Sequence, residues 1–174
     1  MSTFKKNKHL ALITTLFLSV LLIGGCAPSI KYLYDTKTSF PEQKSYTWGM
    51  SSPMYRQDPL LETNVQALAD QLFGQKGLTK VSEKSDLMMS MSYEFDSSLY
   101  QYSYQLRTLT LNVYKTRRDM PSPSDKSGMS MHKESTEDRE LVWRGTAFGC
   151  INTDAASGDL KHAVEGILSH FPPH

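Results

Sequence analysis

Cysteine is scarce in this chain: Cys26 and Cys150 are the only two in 174 residues. A scaffold stapled by several disulfides is therefore excluded. An excess of one charge is also lacking. Nineteen basic and 18 acidic residues leave a formal net charge of +1, and the lysines and arginines are scattered. Nucleic acid is not an expected partner, because its phosphates are bound by clustered basic side chains. No Gly-x-Ser-x-Gly elbow and no glycine-rich phosphate loop occurs, so the common signatures of serine hydrolases and nucleotide binders are missing. His162 and His170 are eight residues apart, and no His-x-x-x-His or Cys-x-x-Cys spacing offers zinc ligands. No metal and no other cofactor is expected. No internal repeat is visible. With 39% hydrophobic and 21% charged residues, the length suits one domain with a real core rather than two.

A long apolar run is missing as well, and the one short run is informative. From Leu10 to Ile23 no residue is charged, a stretch of about 14 residues, whereas a membrane-spanning helix needs about 20. Lys5, Lys6 and Lys8 precede it, and Gly24-Gly25-Cys26 follow it. A basic start, a short apolar region and small residues before a cut are the parts of a secretory signal. The small residues followed by Cys26 resemble the lipobox of bacterial lipoproteins. Residues 1–25 are thus expected to be the signal peptide and Cys26 the lipidated first residue of the mature chain. The resemblance carries a sorting clue: lipoproteins held at the inner membrane often have Asp after the Cys, and Ala27 stands here. The expected location is the cell outer membrane, facing the periplasm, with lipid on Cys26 as the contact to the membrane. Two or more acyl chains anchor stably where one is marginal. Cys150 is then the only thiol left. It is expected to be a buried strand residue, since an oxidising compartment tolerates a lone thiol when it is buried.

Residues 26–33 read as a lipidated tether and residues 34–174 as a single domain. Ser45 to Gly49 alternates like a strand, with Tyr46 and Trp48 on one face. Asp58 can cap a helix and Pro59 suits its first position. Leu61, Val65, Leu68 and Leu72 continue at helical spacing, so a helix is expected over 59–75, stopped by Gly77. A short strand is expected from Leu78 to Ser82. Leu87, Met89, Met91, Tyr93 and Phe95 alternate with Met88, Ser90, Ser92 and Glu94, which marks a strand with one apolar face. Thioethers suit soft copper ions, but Met89 and Met91 fall on that apolar face, where Met fills space. Gln105 to Lys115 is a further strand, with Leu109, Leu111 and Val113 facing one way. Residues 116–138 lack apolar periodicity and read as a mobile hairpin loop. Arg139 to Cys150 is a strand in which Val142 and Trp143 face opposite ways. Gly145 and Gly149 within it point to a close backbone approach or a bulge. A helix from Ala156 to His170 carries Leu160, Ala163, Val164, Ile167 and Leu168 at helical spacing, and Phe171 continues the stripe before Pro172-Pro173 ends it. This order predicts an α+β two-layer sandwich: a mostly antiparallel sheet of about five strands with two amphipathic helices on one face.

Candidate chemistry is thin. Glu134, Glu137 and Asp138 lie in the polar loop and read as a solvated charge cluster. Cys150 has no neighbouring His or Asn signature for cysteine catalysis. Tyr100, Tyr102 and Tyr104 stand in a stretch rich in Tyr and Ser. Two readings are open for them: a surface patch that stacks on a sugar or a protein partner, or solvent-edge tyrosines on a strand.

Several short pieces recur in one order. They are Asp35, Phe40 and Tyr46-Thr47-Trp48; Asp58-Pro59-Leu60 and Lys76-Gly77-Leu78; Asp86-Leu87; Leu141-Val142-Trp143-Arg144-Gly145-Thr146-Ala147; and Phe171-Pro172-Pro173. With these, the chain from Asp35 to Pro173 resembles the bacterial lipoprotein domain of unknown function family 4136. Ser85 stands where the family often has a Pro before the Asp, and the Tyr-rich stretch and the long loop also depart from it. The resemblance implies an envelope lipoprotein and supplies no catalytic or ligand residue. The resulting expectation is a non-enzymatic binding or envelope-maintenance module with a protein or glycan partner. The competing expectations are an envelope hydrolase of unfamiliar type, which needs a deep pocket with convergent polar groups, and a small-ligand or lipid carrier, which needs an apolar cavity between helices and sheet.

Overall fold

A computed structural model describes residues 28–49, 58–96, 104–116, 139–154 and 157–172. Six strands and two helices follow in the order β1 (Ser29–Tyr34), β2 (Ser45–Trp48), α1 (Pro59–Gln75), β3 (Thr79–Lys80), β4 (Leu87–Phe95), β5 (Gln105–Thr116), β6 (Arg139–Asn152) and α2 (Asp159–Ser169). A short 3-10 turn, Phe40–Glu42, sits between β1 and β2. The strands form one sheet in the order β1-β6-β5-β4-β2-β3. The fold is α+β, as expected. The sheet has six strands and is mixed, which corrects the expectation of about five.

Strands β4, β5 and β6 form the antiparallel meander. Their alternation places Met89, Met91, Leu109, Leu111 and Trp143 on the buried side. Strand β2 instead runs parallel to β3 and β4. The helix between them is the reason: α1 carries the chain back across the sheet, so the next strands run the same way. The start of α1 follows from its cap, as Asp58 Oδ1 accepts from Leu61 N–H at 3.1 Å. Its end follows from Gly77, whose φ of 81° suits glycine.

The described stretch Ser29 to Leu33, expected as part of the tether, lies in the edge strand β1, which pairs antiparallel with β6 from Ser29–Phe148 to Tyr34–Trp143. Ile30 turns inward to help cover the core.

Both helices bury their stripes in the same core as the inward face of the sheet. Leu61, Val65, Ala69 and Phe73 come from α1, and Leu160, Ala163, Val164, Ile167 and Leu168 from α2. Phe171 is the centre of an aromatic cluster, with rings edge-on to Trp143 at 5.2 Å, Phe73 at 5.8 Å and Phe40 at 5.6 Å. Side chains of this size contribute about 1.5–3 kcal/mol each when fully buried. They pack between the helices and the sheet.

Two expectations about β6 fail for reasons of strand geometry. Val142 and Trp143 are both buried rather than opposed. The register shifts between Val113 and Tyr114, and the extra residue of this bulge turns Val142 inward as well. Cys150 is exposed rather than buried. Ala147 and Ile151 face the core, so alternation from them sends Cys150 outward. The two glycines of this strand act as the pattern implied. Gly145 lies under the helix, and Gly149 has a φ of 124°, beside the second register shift.

Candidate functional site

One end of the domain gathers residues from four distant parts of the chain. Tyr104 stands just before β5 and Thr153 just after β6. Thr153 donates to the Tyr104 carbonyl twice, from its N–H at 2.7 Å and from Oγ1 at 2.8 Å. The turn that follows is tied down by its own side chains. Asp154 N–H donates to Asn152 Oδ1 at 2.8 Å, and Ser157 Oγ donates to the Asn152 and Asp154 carbonyls at 3.1 and 2.9 Å. Opposite this turn stands the start of α1. Asp58 N–H donates to Tyr93 Oη at 2.7 Å, and that hydroxyl donates to Glu62 Oε1 at 2.9 Å. Burial raises the pKa of Tyr93 to about 12, and the carboxylate of Glu62 acts in the same direction. The phenol therefore stays protonated and pins the helix start.

Between these two walls lies an open cleft of about 250 Å³, lined by Asp58, Leu60, Leu61, Asn64, Tyr104, Thr153 and Asp154. Leu60 in its lining is 71% exposed and Tyr104 66%. Chemically it offers an aromatic ring, an aliphatic side chain, an amide and carboxylates. Such a surface can stack, bury a short apolar group and exchange hydrogen bonds. Among the described residues its lining holds no His, Cys or Lys, and Asp58 already serves as a helix cap.

A second polar cluster lies further along α1, around Asp70. Asp70 Oδ1 accepts from Tyr46 Oη at 2.8 Å and from Trp48 Nε1 at 2.7 Å, while Oδ2 accepts from Lys80 Nζ at 2.8 Å. Burial alone would raise the pKa of Asp70. The bonds from Lys80, Trp48 and Tyr46 prevail and hold it below the usual carboxylate value. The reverse holds for Tyr46, whose pKa rises first through burial and then through Asp70. Three donors occupy this carboxylate, so it ties α1 to β2 and β3 rather than exchanging protons.

Of the residues expected to act, Cys26, Tyr100 and Tyr102 lie outside the described residues, as do Glu134, Glu137 and Asp138. Tyr104 is described and lines the cleft. Met89 and Met91 are core, and Met88 packs against Gly49 on the other face. Among the described residues no three His, Cys, Asp or Glu side chains gather to hold a metal. His170 stacks on Tyr32 at 4.4 Å. Leu60, Thr153 and Asp154 were not foreseen as site residues. Leu60 gave one signal, being an apolar residue off the helical stripe.

Residues 30–173 match the family described as Domain of unknown function (DUF4136). The chain belongs to this family. A crystal structure of a DUF4136 family protein from Bacteroides thetaiotaomicron is similar, at 12% identity and a TM-score of 0.57, over 83% of this chain and 96% of that one. At this identity the likeness concerns the fold alone. A PelC dodecamer from Paraburkholderia phytofirmans aligns at 9% identity and a TM-score of 0.47, over 82% of this chain and 95% of that one. A PDZ domain protein from Parabacteroides distasonis aligns at 13% identity and a TM-score of 0.48, over 86% of this chain and 37% of that one. No curated protein matches the chain. Among the described residues of this DUF4136 domain, no helix is long and apolar enough to cross a membrane.

Proposed function

We propose that this DUF4136 chain is an outer-membrane lipoprotein facing the periplasm, anchored by lipid on Cys26, and that its domain is a non-enzymatic module that engages the envelope. The sequence of residues 1–26 supports the anchor. One observation carries the binding role: the exposed cleft holding Tyr104 and Leu60 offers an aromatic and an aliphatic contact surface. Asp58 caps α1, and Asp70, outside the cleft, is occupied by three donors. The site suits contact better than proton transfer.

Replacing Cys26 with Ala tests the anchor. The variant is expected to lose acyl mass and leave the membrane fraction; normal fractionation would overturn the anchor. Crosslinking in live cells tests the module. Reproducible capture of an envelope component through the cleft end is expected, and a monomer as the sole product in repeated trials would sink the reading.

A further inference from the structure

The fold leaves almost no slack between the anchor and the domain. Cys26 precedes Ser29 by three residues. A fully extended chain gains about 3.3–3.6 Å per residue, so Cys26 lies within about 11 Å of Ser29. Ser29 pairs with Phe148 across antiparallel strands. The chain therefore leaves β1 in the direction in which β6 runs on past Phe148. Five residues later comes Thr153, bonded to Tyr104. The register shift absorbs one of these residues, since Phe148 to Asn152 lies opposite Thr108 to Gln105, so at about 3.3 Å per strand residue this end reaches about 13 Å beyond the level of Ser29. The cleft end thus extends further than the tether.

Two of the large hydrophobic residues that are exposed among the described residues, Leu60 and Tyr104, line the cleft, and a third, Phe148, pairs with Ser29 at the start of β1. The distal edge, by contrast, ends in the exposed Thr79 and Lys80 of β3. We infer that the cleft end, led by Leu60 and Tyr104, is a membrane-contact surface, and that its occupant is the bilayer in which Cys26 is anchored. The inference rests on lipidation of Cys26. Acyl chains on Cys26 would sit in the bilayer, and so short a tether, leaving β1 toward the cleft end, keeps this end close to it. Exposed leucine and tyrosine are suited to the headgroup boundary, where a ring can bury its body and keep its hydroxyl wet. Asp58 and Asp154 stand at the same end, so the surface fits zwitterionic lipid and gains nothing from anionic lipid. The outer face of β4–β6, with Ser90, Thr110, Thr146 and Arg144, is left for other partners.

The test uses the full lipidated protein in phosphatidylcholine vesicles, with and without phosphatidylglycerol. Cys150 is replaced by Ser, and a polarity-sensitive fluorophore is placed at Leu60→Cys, at Tyr104→Cys or, for comparison, at Thr79→Cys. All three positions are exposed, so the fold is undisturbed. Headgroup-boundary insertion is expected to make quenching by spin-labelled lipid at least about twofold stronger at 60 and 104 than at 79. Phosphatidylglycerol should not increase it. Equal quenching at the three positions would overturn the inference, as would shielding of position 60 by a crosslinked protein or second copy. The mass of the mature N-terminus separates the two claims. Acylated Cys26 with unquenched 60 and 104 removes only the membrane contact, whereas Cys26 without acyl mass removes both.

Discussion

Replacing Gly145 with alanine probes the closest approach of α2 to the sheet. A Cβ at this position would stand 2.4 Å from Trp143 Cη2 and 2.6 Å from Ile167 Cγ2. Comfortable carbon contacts lie at about 3.5–4.0 Å, so each neighbour would have to give about 1 Å. Neither has room. Both are fully buried, and Phe171 packs edge-on against the indole at 5.2 Å. Moving the strand instead would disturb its pairing with Leu111 on one side and Tyr32 on the other. Overpacking costs about 1–3 kcal/mol, occasionally more. With contacts too close on two sides, Gly145→Ala is expected at the top of that range, about 3 kcal/mol. In a chain of this size that lowers Tm by about 6–12 °C.

A second substitution makes the reasoning specific. Trp143→Phe removes the atoms nearest the new methyl group and by itself costs about 1–2 kcal/mol through the cavity it opens. In the double variant one of the two clashes is gone. Its cost should fall short of the sum of the single costs by at least about 1 kcal/mol. Urea unfolding followed by circular dichroism measures all three variants. A Gly145→Ala cost under about 0.5 kcal/mol, or strict additivity in the double variant, would refute the close-packing argument.

Two hydrogen-bonded groups give further predictions. Asp70→Asn should destabilise by about 1.5–3 kcal/mol at neutral pH, as expected for bonds to an ionised acceptor, and denaturant titration would show it. Because the Asp70 pKa is lowered from 3.8 on folding, its contribution is present above that value and lost as pH falls through the folded-state pKa. The parent should lose stability below about pH 3.8 more steeply than the variant; identical acid limbs would contradict this. Tyr93→Phe leaves Asp58 N–H without its acceptor and should cost about 1–3 kcal/mol in the same assay. The raised Tyr93 pKa gives stability that is present below 10.0 and lost as pH rises through about 12. The variant should therefore show a flatter alkaline limb than the parent.

The sequence was most legible where structure is local. The Asp58-Pro59 start of α1 depends on a cap and its neighbour, both adjacent in the chain, and the observed helix, Pro59–Gln75, has the expected bounds. The alternation of Leu87 to Tyr93 decides its own buried face. The outward face of Cys150 follows from strand parity through the buried Trp143, Ala147 and Ile151, whereas compartment chemistry says nothing about which face a residue takes. Strand β1 was hidden for another reason. Ser29–Tyr34 follows the lipidation motif directly, so Ile30 and Tyr32 fall inside the expected tether although they alternate as in a strand. The cleft was not legible at all beyond Tyr104. It joins the start of α1 to the turn after β6, and nothing local in Leu60 or Thr153 announces that meeting.

The length of the tether should itself be a control on how this domain sits. Inserting about 12 Gly and Ser residues between Ala27 and Pro28 leaves the anchor and β1 intact. A flexible linker of that length has a root-mean-square span of about 17–21 Å, against a present limit of about 11 Å. The added span exceeds the overhang of the cleft end, so that end can leave the bilayer without breaking a β1–β6 pair. If short reach holds Leu60 and Tyr104 against lipid, quenching of a fluorophore at either position should fall by more than half. The loss follows from reduced effective concentration of the surface at the membrane. Thermal stability should be unchanged, since the insertion precedes the first described residue, Pro28. Undiminished quenching would refute the reach argument and assign the contact wholly to the intrinsic affinity of the exposed leucine and tyrosine for lipid.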